Sequence, residues 1–318
     1  MRSVASVKEL LKNKSRETGK TLQELYTLYG IERTIYRISI SKYLENFTLK
    51  GGIFLYAVFD GSYVRVTTDI DFLAQGINND VEDMKAVFSE IFSMEADDPL
   101  RFDSDTLKVV SITDFKKYHG VNVSVMSYLD RTKIPVSIDI GFGDVIVHGK
   151  VKMDYPVLLS DEEPKVYAYS LASSIAEKFE AIVSLAYDNS RFKDFYDIYV
   201  LAHGHDFDGE ELSEAVNETF EQRHTALDEI VAFEEDFAAE PIRQTRWKAF
   251  VKKKKAMLPV SLEETIETMK RFLIPVVEAK KSGKKFTALW DCKEQKWKEI
   301  GYYNSQELDE IVGITEQK

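Results

Sequence analysis

Thr67-Thr-Asp-Ile-Asp-Phe72 alternates polar and apolar residues within a longer alternating run, 64–73, and alternation at period two marks a half-buried strand. Residues two apart in a strand share a face. Thr67, Asp69 and Asp71 therefore share one side, while Ile70 and Phe72 face a core. Two carboxylates roughly 6–7 Å apart along one strand can converge on a pair of Mg²⁺ ions. Two such ions about 3.5–4 Å apart clamp the attacking and leaving oxygens of a phosphoryl transfer. The competing reading is an edge strand with a solvated acidic face, because acidic side chains are mostly exposed. The motif alone leaves both open.

Upstream stands Leu49-Lys-Gly-Gly-Ile53, followed by the apolar stretch Phe54-Leu-Tyr-Ala-Val-Phe59. Glycines opening a helix let backbone N–H groups approach a phosphate, and a helix N-terminus favours anions. Lys50, Gly51 and Gly52 are thus candidates for a triphosphate cradle; the plainer reading is a Gly turn before a core helix. Downstream, Val121-Asn-Val-Ser-Val125 and Ile134-Pro-Val-Ser-Ile-Asp-Ile140 read as further strands. Asp139 projects with Ser137 from the polar side of the second, where it completes a metal triad with Asp69 and Asp71 or is one more polar-face residue. A helix is expected near Val81–Met94.

From about residue 165 the period becomes helical, with Leu171, Ile175, Phe179, Ile182 and Ala186 on one stripe. Lys178 falls within that stripe. It either snorkels past the edge or points into a cleft, where it holds a phosphate as a point charge. Asp194, in Arg191-Phe-Lys-Asp-Phe-Tyr-Asp197, reads as a helix N-cap or as an active-site acid. Ser261 with Glu264 resembles a capping box for a helix to about Lys280. These patterns divide the chain into a mixed α/β domain, residues 1–160, and a mainly helical domain, residues 161–318.

The 318 residues carry 42 Lys+Arg against 54 Asp+Glu, a formal net charge of −12. That excludes a generally basic nucleic-acid coat but not a local basic path. Such a path is present in sequence: Arg243, Arg246, Lys248, Lys252, Lys253, Lys254 and Lys255. It serves either RNA phosphates or a solvated helix end. One cysteine, Cys292, excludes an internal disulfide framework and any Cys-rich zinc site. No apolar run approaches the ~18–20 residues of a membrane span, and charges interrupt the N-terminus too early for a signal peptide. The expectation is a soluble, cytoplasmic protein with no membrane partner.

Taken in order, Lys50-Gly-Gly, Arg65-Val-Thr-Thr-Asp-Ile-Asp-Phe72, Ile138-Asp-Ile-Gly141, Ala176-Glu-Lys-Phe-Glu-Ala181 and Arg191-Phe-Lys-Asp-Phe-Tyr-Asp197 resemble one family. It is that of the AbiEii-type nucleotidyltransferase toxins, within the DNA polymerase β-like nucleotidyltransferase superfamily. The resemblance runs over about residues 30–300, with Arg246-Trp-Lys-Ala-Phe250, Trp290 and Trp297 fitting its later part. It implies an α+β fold: a nucleotidyltransferase-like mixed sheet flanked by helices, with a C-terminal helical domain. It also implies that Asp69 and Asp71 bind Mg²⁺ (or Mn²⁺), that Lys178 contacts the phosphates of an NTP substrate, and that Asp194 is essential. Arg65 and Thr67 count with the nucleotide-binding residues, and Thr67 is a candidate control point. The implied activity is nucleotide transfer from NTP to RNA, in some members to the 3′ end of tRNA, restrained by a cognate antitoxin encoded nearby. The alternatives are NMP transfer to a Ser, Thr or Tyr hydroxyl of a protein, and a non-catalytic nucleotide-binding module. Two departures stand out: Ile53 occupies the place where the superfamily commonly has Ser, and the interval from Gly52 to Asp69 is long.

Overall fold

The alternating runs at 121–125 and 134–140 become neighbouring strands, second and third from one edge of a seven-stranded mixed sheet. In this computed structural model, residues 2–63, 68–113, 119–159, 161–253 and 260–299 are described. They fall into two compact units, residues 2–170 with 251–253, and residues 171–250 with 260–299.

The first unit opens with α1 (Val4–Thr18) and α2 (Leu22–Ser39), followed by β1 (Phe47–Lys50), α3 (Gly51–Val58), β2 (Asp69–Ala74) and α4 (Val81–Ser93). β3 (Arg101–Thr113), β4 (His119–Leu129), β5 (Thr132–Phe142), β6 (Val151–Asp154) and β7 (Lys165–Ala168) complete it. The strand order is β3-β4-β5-β2-β1-β7-β6, with the β2–β5 and β1–β7 pairs parallel and the rest antiparallel. β2 starts at Asp69; the earlier part of the expected run, residues 64–67, lies outside the described residues.

Local chemistry sets the helix starts. Thr21 and Glu24 form a reciprocal capping box at α2, and Asp80 accepts from the backbone of Glu82 and Asp83 at α4. One face of the sheet is the core. Ile70, Phe72, Ile134, Val136, Ile138 and Ile140 are buried there, and α2 lies so close that a Cβ on Gly30 would sit 2.7 Å from Ile134 Cγ2. Phe47 links this layer to α4, with ring centroids 5.6 Å from Phe72 and 5.5 Å from Phe88. The opposite face carries the polar half of the alternation.

The second unit holds α5 (Leu171–Leu185), α6 (Phe192–Gly204), α7 (Gly209–Gln222), α8 (Glu235–Ala239), α9 (Pro241–Lys253) as far as residue 250, and α10 (Leu262–Ser282). It also contains a small antiparallel sheet of β8 (Phe207–Asp208), β9 (Ala288–Asp291) and β10 (Lys296–Glu299), which helical periodicity did not foretell. Two tryptophans, Trp290 on β9 and Trp297 on β10, dock the hairpin, and Trp247 anchors α9 in the same way. Trp247, Trp290 and Trp297 donate their indole N–H to the carbonyls of Val260, Ala202 and Phe272 at 2.9, 2.7 and 2.9 Å, so each large ring is placed without stranding a donor. Ser261 caps α10 by accepting from Glu264 N. Among the described residues no helix is long and apolar enough to cross a membrane.

α2 buries charge as well as apolar surface. Arg37 forks onto the Asp98 carboxylate at 2.9 and 3.2 Å, a bidentate pair. Glu32 accepts from Leu158 N at 2.6 Å. Burial pushes the Glu32 carboxyl up to about 7, against the opposing pull of Arg33 and of the Leu158 N–H. Because its folded pKa exceeds the unfolded value near 4.5, the protonated form favours the fold. Stability from this group is full below about 4.5, falls as pH rises toward about 7, and is flat above it, the total being on the order of 3 kcal/mol. Glu32→Gln, which keeps an acceptor for Leu158, removes this component. Urea midpoints taken from pH 5 to pH 8 are expected to flatten in the variant over that window.

Candidate active site

Strand register, more than any single residue, assembles the polar face. Lys50 on β1 stands opposite Asp71 on β2, Asp71 opposite Asp139 on β5, and Asp139 opposite Asn122 on β4. Residues directly opposite share a side of the sheet, so these four form one row across four strands. Asp69, Ser137 and Ser124 form the next row. The three carboxylates expected to be metal ligands thus lie on one half-buried face, carried by two adjacent parallel strands.

Asp139 and Asp69 are each oriented by a neighbour. Asn122 Nδ2 donates to Asp139 Oδ1 at 2.7 Å and to Ser137 Oγ at 3.0 Å. Thr68 Oγ1 donates to Asp69 Oδ2 at 3.1 Å. An all-oxygen donor set is what Mg²⁺ and Mn²⁺ take. Among the described residues no three His, Cys, Asp or Glu side chains are already drawn together tightly enough to hold an ion.

Gly51 fixes the other side of Asp71. Its φ of +67° lies in the left-handed region, and a Cβ at this position would overlap Asp71 Oδ2. The carboxylate therefore sits directly against the start of α3. The N-cap residue, Lys50, makes no side-chain capping bond, and the first-turn N–H groups of α3 carry the partial positive charge that favours anions. Ile53, which stands where Ser is common, is fully buried in the core. The described part of the long interval after Gly52 holds the rest of α3 and a turn in which Asp60 and Gly61 have φ of +47° and +72°. Lys50 does not extend freely toward this helix. Its ammonium lies 2.6 Å from Asp144 Oδ2 and 5.3 Å from the Tyr169 ring centroid.

In the second unit Lys178 departs from the snorkelling geometry. It is 9 % exposed, with Nζ 2.7 Å from Asp197 Oδ2 and 3.8 Å from Asp194 Oδ1. Both acids are buried on α6. The N-cap reading of Asp194 is corrected: Arg191 is the cap residue and Asp194 is the third residue of the helix. Arg191 Nε lies 2.6 Å from Asp194 Oδ2. An acid in the first turn is favoured by the helix dipole whether or not it caps.

The basic run is not uniform. Arg246, Lys248 and Lys252 are exposed on α9, and Lys253 ends that helix. Arg243 is buried instead, donating to the carbonyls of Phe237 and Tyr187 at 2.8 and 3.0 Å with its guanidinium 3.8 Å from the Phe237 ring centroid. It belongs to the fold of the second unit, not to an open cationic surface. Arg65, Thr67, Lys254 and Lys255 lie outside the described residues. Three partners escaped sequence reading: Asn122, Asp144 and Asp197. Asp197 stood in the quoted motif, three residues after Asp194, and helical spacing alone would have placed it on the same face of α6 as Asp194.

These contacts carry two expectations. Removing Lys178 takes away the cation that lies 2.7 Å from the fully buried Asp197 carboxylate, so Lys178→Met should cost about 3–5 kcal/mol in chemical unfolding. Lys178→Met combined with Asp197→Asn should cost clearly less than the sum of the single changes; strict additivity would show that the pair is not coupled. Gly51→Ala should leave the protein folded, with a loss of roughly 1–3 kcal/mol from the strained φ, while displacing Asp71. Thermal unfolding and a crystal structure of the variant measure the two effects.

Among curated proteins, none matches this chain in sequence. Two solved structures from Helicobacter pylori are similar in fold, each at 14 % identity. A candidate nucleotidyltransferase is matched over 84 % of this chain and 100 % of its own, with a TM-score of 0.49. The protein JHP933 is matched over 83 % and 97 %, with a TM-score of 0.47. The sequence model of the AbiEii family, described as nucleotidyl transferase AbiEii toxin of type IV toxin–antitoxin systems, matches residues 33–269. That stretch takes in the carboxylate row, the Gly51 turn and the Lys178 cluster, and the chain belongs to this family of nucleotidyl transferase toxins.

Proposed function

We propose that this protein is a metal-dependent nucleotidyltransferase that moves a nucleotide from an NTP to RNA, the 3′ end of tRNA being the expected acceptor. The observation that carries the proposal is the row Lys50–Asp71–Asp139, with Asp69 alongside and Asp71 packed against the N-terminus of α3. Carboxylates and an anion-binding helix end, side by side, suit a divalent cation and a triphosphate together.

In this reading Asp69, Asp71 and Asp139 hold Mg²⁺, or Mn²⁺, which when bound supplies Lewis-acid stabilisation of charge on the phosphoryl oxygens. The Gly51-Gly52 turn lets α3 N–H groups approach the phosphates. The acceptor hydroxyl oxygen forms a bond to the α-phosphorus as the bond to the bridging oxygen of the leaving pyrophosphate breaks, and the hydroxyl proton passes to a carboxylate or to water. Asn122 keeps Asp139 turned into the row. Lys178 and Asp194 are assigned to nucleotide handling, and the exposed cations Arg246, Lys248 and Lys252 to the RNA. Family membership brings a further proposal, a cognate antitoxin that restrains the enzyme in a cytoplasmic setting.

The test is incubation of the purified protein with each labelled NTP, Mg²⁺, cellular RNA and cellular protein. Label is expected in a tRNA-sized band. Label in a protein band alone would overturn the RNA reading in favour of protein modification. Asp69→Asn and Asp71→Asn are expected to lower transfer at least 100-fold with unchanged thermal midpoints. EDTA should abolish it and added Mg²⁺ restore it; transfer that persisted in EDTA would refute the metal assignment.

A further inference from the structure

The polar face of the sheet does not end at the carboxylates. Beyond Asp69 it opens into a groove of about 660 Å³, well within the roughly 300–1,000 Å³ usual for ligand sites. Asp69 is the member of the acidic trio that lines it. Asp71 sits on the far side, against Gly51 and the α3 N-terminus. The two ends of the acidic face are therefore different: one meets an anion-binding helix start, the other an open trough on the sheet.

A break in β3 makes the trough. Register between β3 and β4 slips between Asp103 and Lys108, and the intervening residues leave the ladder. Thr106 Oγ1 takes over one lost contact by accepting from Met126 N at 2.9 Å. Bulges of this kind re-aim side chains beside sites. Past the slip the ladder resumes, and Lys108, Ser124, Ser137 and Asp69 stand in one row across β3, β4, β5 and β2. The groove then runs along β4 and β5 for four more residues, about 13 Å, to Tyr128 and Lys133, which face each other.

Its lining mixes flat apolar surface with cations at the two ends. Met126 and Pro135 lie opposite each other on the floor. Lys108 and Lys133 are exposed, and Arg101 places its guanidinium 4.8 Å from the Tyr128 ring centroid. Among the described residues, Asp105 is the one acid on the rim besides Asp69. Cations spaced along an apolar and aromatic floor are the features that take a single strand of nucleic acid, phosphates on the lysines and bases on the floor.

We propose that this groove seats the last nucleotides of the RNA acceptor, with Lys108 and Lys133 holding backbone phosphates, so that the terminal hydroxyl arrives at Asp69 from the side opposite the triphosphate. The proposal rests on the transferase reading above and adds the direction from which the acceptor approaches.

The test compares wild type with Lys108→Glu/Lys133→Glu, both side chains being exposed and so unneeded for folding, under labelled NTP, Mg²⁺ and tRNA. Expected are a rise of tenfold or more in KM for tRNA, KM for NTP within twofold of wild type, and an unchanged thermal midpoint. Direct binding of tRNA without NTP should lose about 0.7 from its log–log salt slope for each phosphate contact removed. If wild type labels tRNA and the variant keeps its tRNA KM and salt slope, the groove is not the acceptor seat and the transferase reading stands alone. If wild type labels protein and never RNA, that reading falls and this proposal with it.

Discussion

Everything chemical about the first unit depends on the pairing of β2 with β5 in parallel register. Parallel strands in register place equivalent side chains side by side at the strand spacing of about 4.8 Å. Asp71 and Asp139 occupy such positions. Two carboxylates that close repel, and the repulsion is tolerated because polar neighbours and water screen them on a half-buried face. A slip of one residue would turn Asp139 into the core and Ile138 or Ile140 out to solvent. The buried isoleucines therefore enforce the register that the acids require.

The same economy governs Gly51. A helix that begins immediately after a strand needs an abrupt change of backbone direction, and the left-handed φ at Gly51 supplies it. Any side chain there would collide with Asp71. Turn and carboxylate are therefore one structural unit: the residue that lets α3 start is also the one that leaves room for the acid beside the helix end. Lys50, the residue before, is drawn to Asp144 and Tyr169. Its charge balances an acid of the fold while it stays in the row with Asp71.

How much of this was legible beforehand follows from the range of the interactions. Alternation and helical stripes are local, so β4, β5, α3, α4 and α5 could be read directly, as could the shared face of Asp69 and Asp71. Pairing between strands is not local. That Asn122 would meet Asp139, or Asp144 meet Lys50, depends on sheet order, which no single segment encodes. Arg243 shows the converse failure. Seven cations in thirteen positions read as a surface, yet one faces the carbonyls of Phe237 and Tyr187 and is buried. Helical spacing did separate it from Lys248 and Lys252, but only the packing of Phe237 told which face turned inward. Asp194 failed as a cap because the chain turned into α6 three residues earlier than the acid, a shift within the usual uncertainty of helix boundaries.

Lys178 raises a question of cost. A cation held by two buried carboxylates is an expensive arrangement, since desolvating such charges often exceeds what their attraction returns. An apolar trio of similar volume would pack at least as well between α5 and α6. The cluster therefore makes little sense as a device for stability. An ammonium has three donors, and the two nearest carboxylates fix the position of Nζ without using all of its capacity. A charge pinned in this way loses little further freedom when it meets an anionic group, which lowers the entropic penalty of that encounter. Stability given up locally for a preorganised charge accords with the nucleotide-handling role proposed for Lys178.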